Sequence, residues 1–363
     1  MLKYLLFPLL FFYQTTSVPP LRSSQPSLLA AYFQELKVQR TFDQLTEEER
    51  VAQMVVVAAG QYGKKKWQVA SLIRNQKIGG VLLLNGTKNE FKGYVKEFNT
   101  LTKETGQLPL LYSADAEPSL IHYKIKGTPV FKSTNAITDE AECKEIATRI
   151  SDELLDIGIQ HNYAPVCDLT TSNAAIRKRS FGSDTAHVYA MCKAFIEASH
   201  QKNILTTAKH FPGHGYVKGD THKNLVYIDG TLQELDVYKK LLADQVLSSI
   251  MVGHIAIKNH PKYDTKGLPA TCSRVVVTDL LKEQLGFEGL IVTDAMNMGA
   301  VKDIPKASFL AAKAGCDLIL MPTDEIAFIK AVVAEMQKDE NFRAQIHASV
   351  KKIIRYKVAF GLL

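Results

Sequence analysis

Short apolar runs alternate with longer stretches of helical periodicity along the chain, from about residue 41 to its end. Eight of these runs suit buried strands: residues 52–58, 78–84, 109–114, 159–163, 204–208, 249–255, 289–293 and 317–321. The helical stretches are 88–105, 138–157, 184–202, 231–248, 274–286, 303–315, 324–337 and 341–359. Since each connection between strands is long enough for a helix, we predict parallel strands joined by helical crossovers.

Two of the helical stretches begin with capping signals. Thr138 precedes the acidic pair Asp139 and Glu140, and Thr231 is followed three residues later by Glu234. The second spacing is that of a capping box, in which each side chain bonds the backbone N–H group of the other residue. The sequence therefore predicts caps at the starts of both helices, the second a capping box of Thr231 and Glu234.

Polar residues at the strand ends favour a closed barrel over a doubly wound open sheet, which satisfies the same alternation. The side chains able to do chemistry at these ends are Asp115, Asp168, Lys209, His210, His254 and Asp294. In a closed barrel they converge on one mouth, where barrel enzymes build their active sites. We predict an α/β protein with a single (β/α)8 TIM-type barrel over residues 41–363. We expect Asp168 to hold the loop after the fourth strand, and His254 to be either a buried support or a substrate contact.

The N-terminal segment predicts export. Lys3 precedes an apolar run at 4–13 that is interrupted by Pro8 and is too short to span a bilayer as a helix. Residues 1–19 resemble a signal peptide, with an uncleaved anchor as the alternative, and residues 20–40 predict a poorly ordered lead-in with one amphipathic stretch. A cleaved signal places the protein in a bacterial periplasm or outside the cell, with no remaining membrane span.

The composition excludes a mainly disordered or collagen-like chain, because 46% of the 363 residues are apolar and 22% are charged. The formal charge of +7 is spread without long like-charge runs, so we predict no nucleic-acid partner. The five cysteines are widely spaced and form no C-x-x-C motif, which predicts buried thiols.

The densest chemical signal is the glycine-rich segment 209–222, KHFPGHGYVKGDTH. Its three histidines permit a metal site formed by His210, His214 and His222. They also permit an acid–base pair, in which Asp220 orients His222 across one intervening residue of an extended loop. Pro212 and Gly213 remove the helical spacing of a typical zinc-binding helix. The sequence nevertheless leaves both hypotheses open, the metal site and the acid–base pair.

Asp294 follows an apolar strand in the segment GLIVTDAMNMGA. An Asp in this position is either the N-cap of a following helix or a functional carboxylate at the barrel mouth. Placed opposite a proton donor, such a carboxylate matches the nucleophile of a retaining glycosidase.

Several motifs in the same order resemble family 3 glycoside hydrolases, in particular their β-N-acetylhexosaminidase branch. They are KHFPGHG followed by DTH, NYAPVCDL at 162–169, RSFG at 179–182, ATCS at 270–273 and GFEGLIVTDAMNM at 286–298. The resemblance implies a cofactor-free and metal-free (β/α)8 enzyme that removes terminal β-linked N-acetylglucosamine with retention. It implies Asp294 as nucleophile and His222, held by Asp220, as acid/base. Its implied sugar contacts are Asp115, Arg179, Lys209 and His210.

The segment DAEPSLIHY at 115–123 departs from the family pattern, because Tyr123 stands where the family has an Arg. A tyrosine lacks the planar set of donors that an Arg offers. We expect Tyr123 to weaken the affinity for the sugar or to alter the substrate. Three hypotheses for the function therefore stand: a glycosidase, a metal-dependent hydrolase and a non-catalytic sugar-binding relative. The expected partner is a carbohydrate, either a peptidoglycan fragment or a chitooligosaccharide, and a monomer is expected.

Overall fold

Eight parallel strands form the central sheet in the computed structural model, which describes residues 28–170 and 173–363. They are β1 Val55–Ala59, β2 Gly80–Leu83, β3 Leu111–Ala114, β4 His161–Asn162, β5 Leu205–Phe211, β6 Ser249–Val252, β7 Leu290–Thr293 and β8 Ile319–Leu320. Each overlaps one of the predicted apolar runs. The prediction of eight parallel strands is therefore confirmed.

The sheet closes into a barrel between β8 and its two neighbours. From β1 to β7 each strand pairs with the next in sequence order, and β8 pairs with β1 through Val55 and Ile319. On its other side an isolated bridge joins Val292 of β7 to Leu318. We call this junction of β7 and β8 the seam. The predicted (β/α)8 barrel is confirmed.

Eleven α-helices surround the barrel in the described part of the chain: α1 Leu28–Asp43, α2 Glu47–Ala52, α3 Lys66–Arg74, α4 Lys88–Thr105, α5 Ile121–Lys124, α6 Glu140–Ile157, α7 Thr185–Gln201, α8 Leu235–Ala243, α9 Ala307–Ala314, α10 Glu325–Met336 and α11 Glu340–Ala359. Val275–Gln284 forms a π-helix between β6 and β7. Two parallel pairs of short strands lie outside the barrel sheet, Gly86–Thr87 with Ile125–Lys126 and Val226–Asp229 with Ile255–Lys258.

The helix ends follow local chemistry. Thr87 and Glu90 form a capping box at the start of α4, and Gly106 ends this helix with a φ of 69°. Asp139, and not the expected Thr138, caps α6 by accepting a hydrogen bond from the Glu142 N–H group. The helix predicted at 231–248 is shorter in the structure, where α8 spans Leu235–Ala243. The Glu234 side chain makes no capping hydrogen bond to this helix.

The fold begins earlier than the predicted start at residue 41. Residues 28–40 of the predicted lead-in belong to α1, which packs on α11 and buries Val38 and Phe42. The guanidinium of Arg355 donates to both carboxylate oxygens of Glu35 and fixes this contact. The predicted signal peptide at 1–19 lies outside the described residues. None of the described helices has the length and apolarity needed to cross a membrane.

Apolar side chains fill the barrel and the layer between the strands and the helices. The five residues of β1 and the four of β7 are all buried. The cysteines join this core, since all five are buried and free. The prediction of buried thiols is therefore confirmed.

The polar side of α11 attaches to the amino ends of the strands. The Tyr356 hydroxyl donates to the Ser248 carbonyl just before β6. Lys352 donates to the Gly289 carbonyl just before β7 and to the Asp317 carboxylate just before β8, each at 2.9 Å. The terminal helix therefore holds together the end of the barrel opposite its mouth.

Lys357 extends this attachment to β1 and β2. Its fully buried ammonium group donates to the Gln53 side chain at 2.7 Å and to the Gly79 carbonyl at 2.9 Å. Burial lowers the pKa of Lys357 to about 7 from the ordinary lysine value of 10.5. Both partners are neutral acceptors, so they suit a neutral amine as well as an ammonium.

We expect Lys357 to make the stability depend on pH. Between about pH 7 and 10 the unfolded chain keeps the Lys357 proton and the folded protein has lost it. The free energy of unfolding therefore rises with pH, by at most about 1.4 kcal/mol per pH unit from this group. Lys357→Met removes this contribution. Urea denaturation at several pH values in this window should show the wild type gaining stability over the variant as pH rises.

Lys338→Met, at an exposed position, is the matched control and should follow the wild type across the same pH series. If Lys357→Met also follows it, Lys357 does not exchange its proton on unfolding in this window.

Candidate active site at the barrel mouth

Asp168, fully buried just beyond β4, organises the loop that follows β5. Its carboxylate accepts hydrogen bonds from His210 Nδ1 at 2.7 Å and from the backbone N–H groups of His210 and His214 at 3.1 and 2.9 Å. Burial works to raise the pKa of Asp168, but the charge and hydrogen bonds of His210 outweigh it and lower this pKa. Asp168 has the expected structural role, but its carboxylate holds the end of β5 and the loop after it, and not the loop after β4 in which Asp168 itself lies. The bond assigns the Nδ1 hydrogen to His210.

A second buried carboxylate, Glu117, joins two of the expected sugar-binding cations. Arg179 donates to both of its oxygens, at 2.8 and 2.7 Å, and Lys209 Nζ lies 2.7 Å from one of them. Lys209 also donates to Asp115 at 2.9 Å. Burial opposes ionisation, yet the charges of Arg179 and Lys209 hold the pKa of Glu117 well below its usual range. The structure thus brings together Asp115, Arg179 and Lys209.

Glu117 is the member of this network to which the sequence analysis assigned no role. It is 1% exposed, and so is Lys209. A carboxylate can be this deeply buried because it is fully paired with cations. The only sequence signal was its place two residues after Asp115, just beyond the third strand.

An irregularity in β5 lets two successive side chains serve the mouth. The register against β6 shifts between Lys209 and Phe211. In a regular strand, neighbouring side chains point to opposite faces, and a bulge changes that alternation. Here Lys209 reaches Asp115 and Glu117 while His210 reaches Asp168.

Asp220 and His222 are paired, as their spacing predicts. The Asp220 carboxylate accepts from His222 Nδ1 at 2.7 Å and from the His222 backbone N–H group at 3.0 Å. Burial raises the pKa of Asp220, but the hydrogen bonds from His222 lower it by more. The imidazole is 64% exposed, so its Nε2 atom is open to solvent.

The loop that carries this pair is docked on the turn after β7. The N–H groups of Gly299 and Ala300 donate to the carbonyls of His222 and Thr221, at 3.1 and 3.2 Å. The approach is tight, because a Cβ atom on Gly299 would lie 2.3 Å from the Lys223 carbonyl oxygen. The Asp220–His222 pair is thus attached to the segment that begins with Asp294.

Asp294 is a half-buried carboxylate directly after β7. Asp294 is not a helix N-cap, because the next helix, α9, begins at Ala307. The N-cap alternative for Asp294 is therefore wrong. Burial raises the pKa of Asp294, but the neighbouring imidazoles of His254 and His210 and the Ala295 N–H group lower it below the usual range. The carboxylate is therefore held in the ionised form that a nucleophile requires.

His254 supports the backbone next to Asp294. Its Nε2 atom donates to the Ala295 carbonyl at 2.9 Å, and its Nδ1 atom accepts from the Thr271 hydroxyl at 2.8 Å. Burial lowers the pKa of His254, although the Asp294 charge opposes this. Both ring nitrogens are engaged within the protein. Of the two expected roles, buried support and substrate contact, the structure gives His254 the first.

The three histidines of segment 209–222 have separate partners. His210 bonds Asp168, His222 bonds Asp220, and His214 Nε2 lies 3.2 Å from the Thr221 hydroxyl. Across residues 28–170 and 173–363, no group of three or more His, Cys, Asp or Glu side chains is arranged to hold a metal ion. The geometry does not support the metal-site alternative.

The Glu234 side chain does not cap α8, which is the role that its spacing from Thr231 predicts. Its buried carboxylate accepts from the backbone N–H groups of Leu169, Gly215 and Tyr216. Burial and then the Asp168 charge raise the pKa of Glu234, while the hydrogen bonds from these three N–H groups lower it and favour the ionised form. The expected capping box is wrong, because the Glu234 side chain turns to two other loops.

The segment after β3 that departs from the family pattern is part of the same mouth. Ser119 accepts from the Thr134 N–H group at 2.9 Å and donates to the Lys178 carbonyl, next to Arg179. Tyr123 lies in α5, is 65% exposed and packs against His122 with ring centroids 3.8 Å apart. Tyr123 therefore faces solvent.

Comparison with known proteins places this barrel in a family. The sequence profile of the "Glycosyl hydrolase family 3 N terminal domain" matches residues 46–356. A β-hexosaminidase of Hydrogenovibrio crunogenus is 31% identical over 270 residues, which cover 69% of this chain and 73% of that protein.

Two solved structures share the architecture. A glycoside hydrolase family 3 β-N-acetylglucosaminidase from a Paenibacillus species superposes with a TM-score of 0.79 at 26% identity, over 88% of this chain and 63% of the other. A β-N-acetylhexosaminidase from Beutenbergia cavernae gives a TM-score of 0.76 at 27% identity, over 88% and 99%. The chain thus spans less than two thirds of the Paenibacillus protein.

We expect Arg179→Met to destabilise the protein by about 3 kcal/mol, because it removes one of the two cations that pair with the buried Glu117 carboxylate and leaves Lys209 alone to do so. The free energy of unfolding in urea measures this loss. Arg343→Met is the control, since Arg343 forms an exposed pair with Glu340 and should change stability by less than about 0.5 kcal/mol. Equal, small effects of both variants would show that the Glu117 network does not depend on Arg179.

Proposed function

Because the chain belongs to glycosyl hydrolase family 3, and is therefore a glycosidase, we propose that it removes terminal β-linked N-acetylglucosamine from oligosaccharides. The observation that carries the proposal is the pairing of Asp220 with His222 on a loop docked against the segment that begins with Asp294. A retaining glycosidase needs a nucleophile and a proton carrier, and an ionised carboxylate and an imidazole can fill these two roles. The printed names of the relatives, β-hexosaminidase and β-N-acetylglucosaminidase, support the choice of amino sugar.

In the proposed first step the Asp294 carboxylate attacks the anomeric carbon and forms a glycosyl ester. The glycosidic bond breaks, and His222 gives its Nε2 proton to the departing oxygen. Asp220 keeps the Nδ1 hydrogen in place, so the transferred proton leaves from the exposed side of the ring.

In the second step a water molecule attacks the anomeric carbon and displaces Asp294. His222 now takes a proton from this water, which restores both groups to their starting states. Two successive displacements at one carbon give a product of the same anomeric configuration as the substrate.

The buried network beside Asp294 supplies the proposed sugar contacts. Asp115 keeps 22% of its side chain exposed, so it can accept from a sugar hydroxyl while it remains paired with Lys209. His210 has its Nδ1 atom engaged by Asp168, which leaves Nε2 for a substrate hydroxyl. Glu117 fixes Arg179 and Lys209, so little side-chain freedom is lost when the sugar binds.

The proposed substrates are peptidoglycan fragments or chitooligosaccharides, met outside the cytoplasm if residues 1–19 direct export. Product analysis with N-acetylglucosaminyl-anhydro-N-acetylmuramic acid and chitobiose, side by side, distinguishes the two substrate classes. Saturable binding of N-acetylglucosamine without turnover of either compound would favour the non-catalytic relative that Tyr123 suggests.

Asp294→Asn should lower turnover of 4-nitrophenyl N-acetyl-β-glucosaminide by on the order of 1,000-fold or more, because the amide is a far weaker nucleophile than the carboxylate. The rate of 4-nitrophenol release measures this. Asp303→Asn makes the same change at an exposed position in the segment between β7 and α9, and should keep wild-type turnover. Wild-type activity of Asp294→Asn would remove Asp294 from the mechanism.

Gly299→Ala should lower kcat/KM for chitobiose by about 100-fold, because the added methyl group meets the Lys223 carbonyl and displaces His222. Gly93→Ala in α4 is the control, since a Cβ atom there meets nothing within 4 Å. Unchanged kinetics of Gly299→Ala would mean that the contact between these two loops does not position His222.

A further inference from the structure

Glu234 is a buried carboxylate that the mechanism does not use. It stands just before α8 and is 3% exposed, and its side chain does not cap that helix. A buried charge is costly unless hydrogen bonds compensate it, so its partners indicate what it stabilises. All three of these partners are backbone N–H groups in loops at the barrel mouth.

Both oxygens of Glu234 are occupied. Oε2 accepts from the Leu169 N–H group at 2.6 Å and from the Gly215 N–H group at 3.1 Å. Oε1 accepts from Gly215 at 2.9 Å and from Tyr216 at 3.3 Å. The carboxylate therefore joins the loop after β4 to the loop after β5. A glutamine could not replace it, since its NH₂ group would face an N–H donor in either orientation.

We call residues 213–216 the stem of the acid–base loop. The stem lies directly against Glu234 and Leu169, because a Cβ atom on Gly213 would meet Glu234 at 2.6 Å and one on Gly215 would meet the Leu169 carbonyl at 2.2 Å. Gly213 also has a φ of 135°, which side chains rarely adopt. The contact between the stem and Glu234 leaves no room for an alternative packing.

The sugar-binding residues do not depend on this contact. Lys209 is held by Asp115 and Glu117, and His210 is held by Asp168. Glu234 has no hydrogen bond to Lys209 or His210, because its donors are Leu169 in the loop after β4 and Gly215 and Tyr216 in the stem, which leads to Asp220 and His222. Loss of its carboxylate should therefore affect the proton carrier and leave the sugar site in place.

We propose that Glu234 is the positioning residue of the acid–base step: by binding the stem through both carboxylate oxygens, it sets the position of His222 relative to Asp294. This inference rests on the proposed function. It assigns Glu234 no contact with substrate, and its effect passes through the loop backbone.

The test compares two substrates with different needs for a proton. Chitobiose releases a sugar hydroxyl and requires protonation, whereas a 2,4-dinitrophenyl glycoside releases a stable anion without it. We expect Glu234→Gln to lower kcat/KM for chitobiose by about 100-fold, the typical contribution of a general acid, and for the dinitrophenyl substrate by less than about 3-fold. The dissociation constant of N-acetylglucosamine, measured by calorimetry, should change by less than about 2-fold, because the sugar site is intact.

Asp317→Asn is the matched control. Asp317 is also a buried carboxylate that accepts from a backbone N–H group, at Ile291, but it lies at the opposite end of the barrel. Its variant should lose stability and treat both substrates alike. Glu234→Asp keeps the charge on a shorter side chain, and should show the same selective loss to a smaller degree.

Equal losses on both substrates, or no loss on either, would overturn the proposal. If Glu234→Gln does not fold, Gly213→Ala and Glu234→Asp apply the same test to the same contact. His222→Ala separates the two levels of inference. If His222→Ala lacks the selective loss, the proposed function fails, and if it shows the loss while the Glu234 and Gly213 variants do not, only the role of Glu234 fails.

Discussion

The structure of the mouth depends on one buried anion, the Asp168 carboxylate. An ion in this position is stable only while its donors are in place, so the ring of His210 and the N–H groups of His210 and His214 are fixed together. Since Asp168 follows β4, His210 lies near the end of β5 and His214 follows that strand, this interaction also fixes the loop after β4 relative to the end of β5 and the loop beyond it. Glu117 and Glu234 repeat the arrangement on either side, the first with cationic side chains and the second with backbone donors.

The two ends of the barrel are held by different sets of polar contacts, although each contains a buried carboxylate, which at the amino end is Asp317. At the mouth, buried carboxylates hold cations and N–H groups that belong to several loops. At the amino end, donors on α11, such as Lys357 and Tyr356, bind carbonyl groups that precede the strands. The apolar strands separate these two sets of polar contacts. Removing a charged side chain at one end therefore breaks no contact at the other end.

The barrel was predictable because its strands are short apolar runs and its crossovers have helical periodicity. Pairings within a few residues, such as Asp220 with His222, were also predictable, since spacing alone brings the groups together. Glu234 shows why other features were not. Its distance from Thr231 is that of a capping box, and nothing local reveals donors that come from Leu169 and Gly215. The N-cap alternative for Asp294 failed for a related reason, because the chain after it turns repeatedly before α9.

The place of β8 between β7 and β1 has a consequence for the order in which the molecule is completed. Ring closure joins Val55 to Ile319, near opposite ends of the chain, and such distant contacts form late because they order the most intervening chain. Leu320 also donates to the Thr293 hydroxyl and accepts from the Met296 N–H group, on either side of Asp294. The surroundings of Asp294 are therefore incomplete until β8 is in place. A C-terminal truncation that removes β8 would thus remove the backbone contacts on both sides of Asp294 as well as one strand of the barrel. A partly synthesised chain carries Asp294 without the backbone that holds its neighbours.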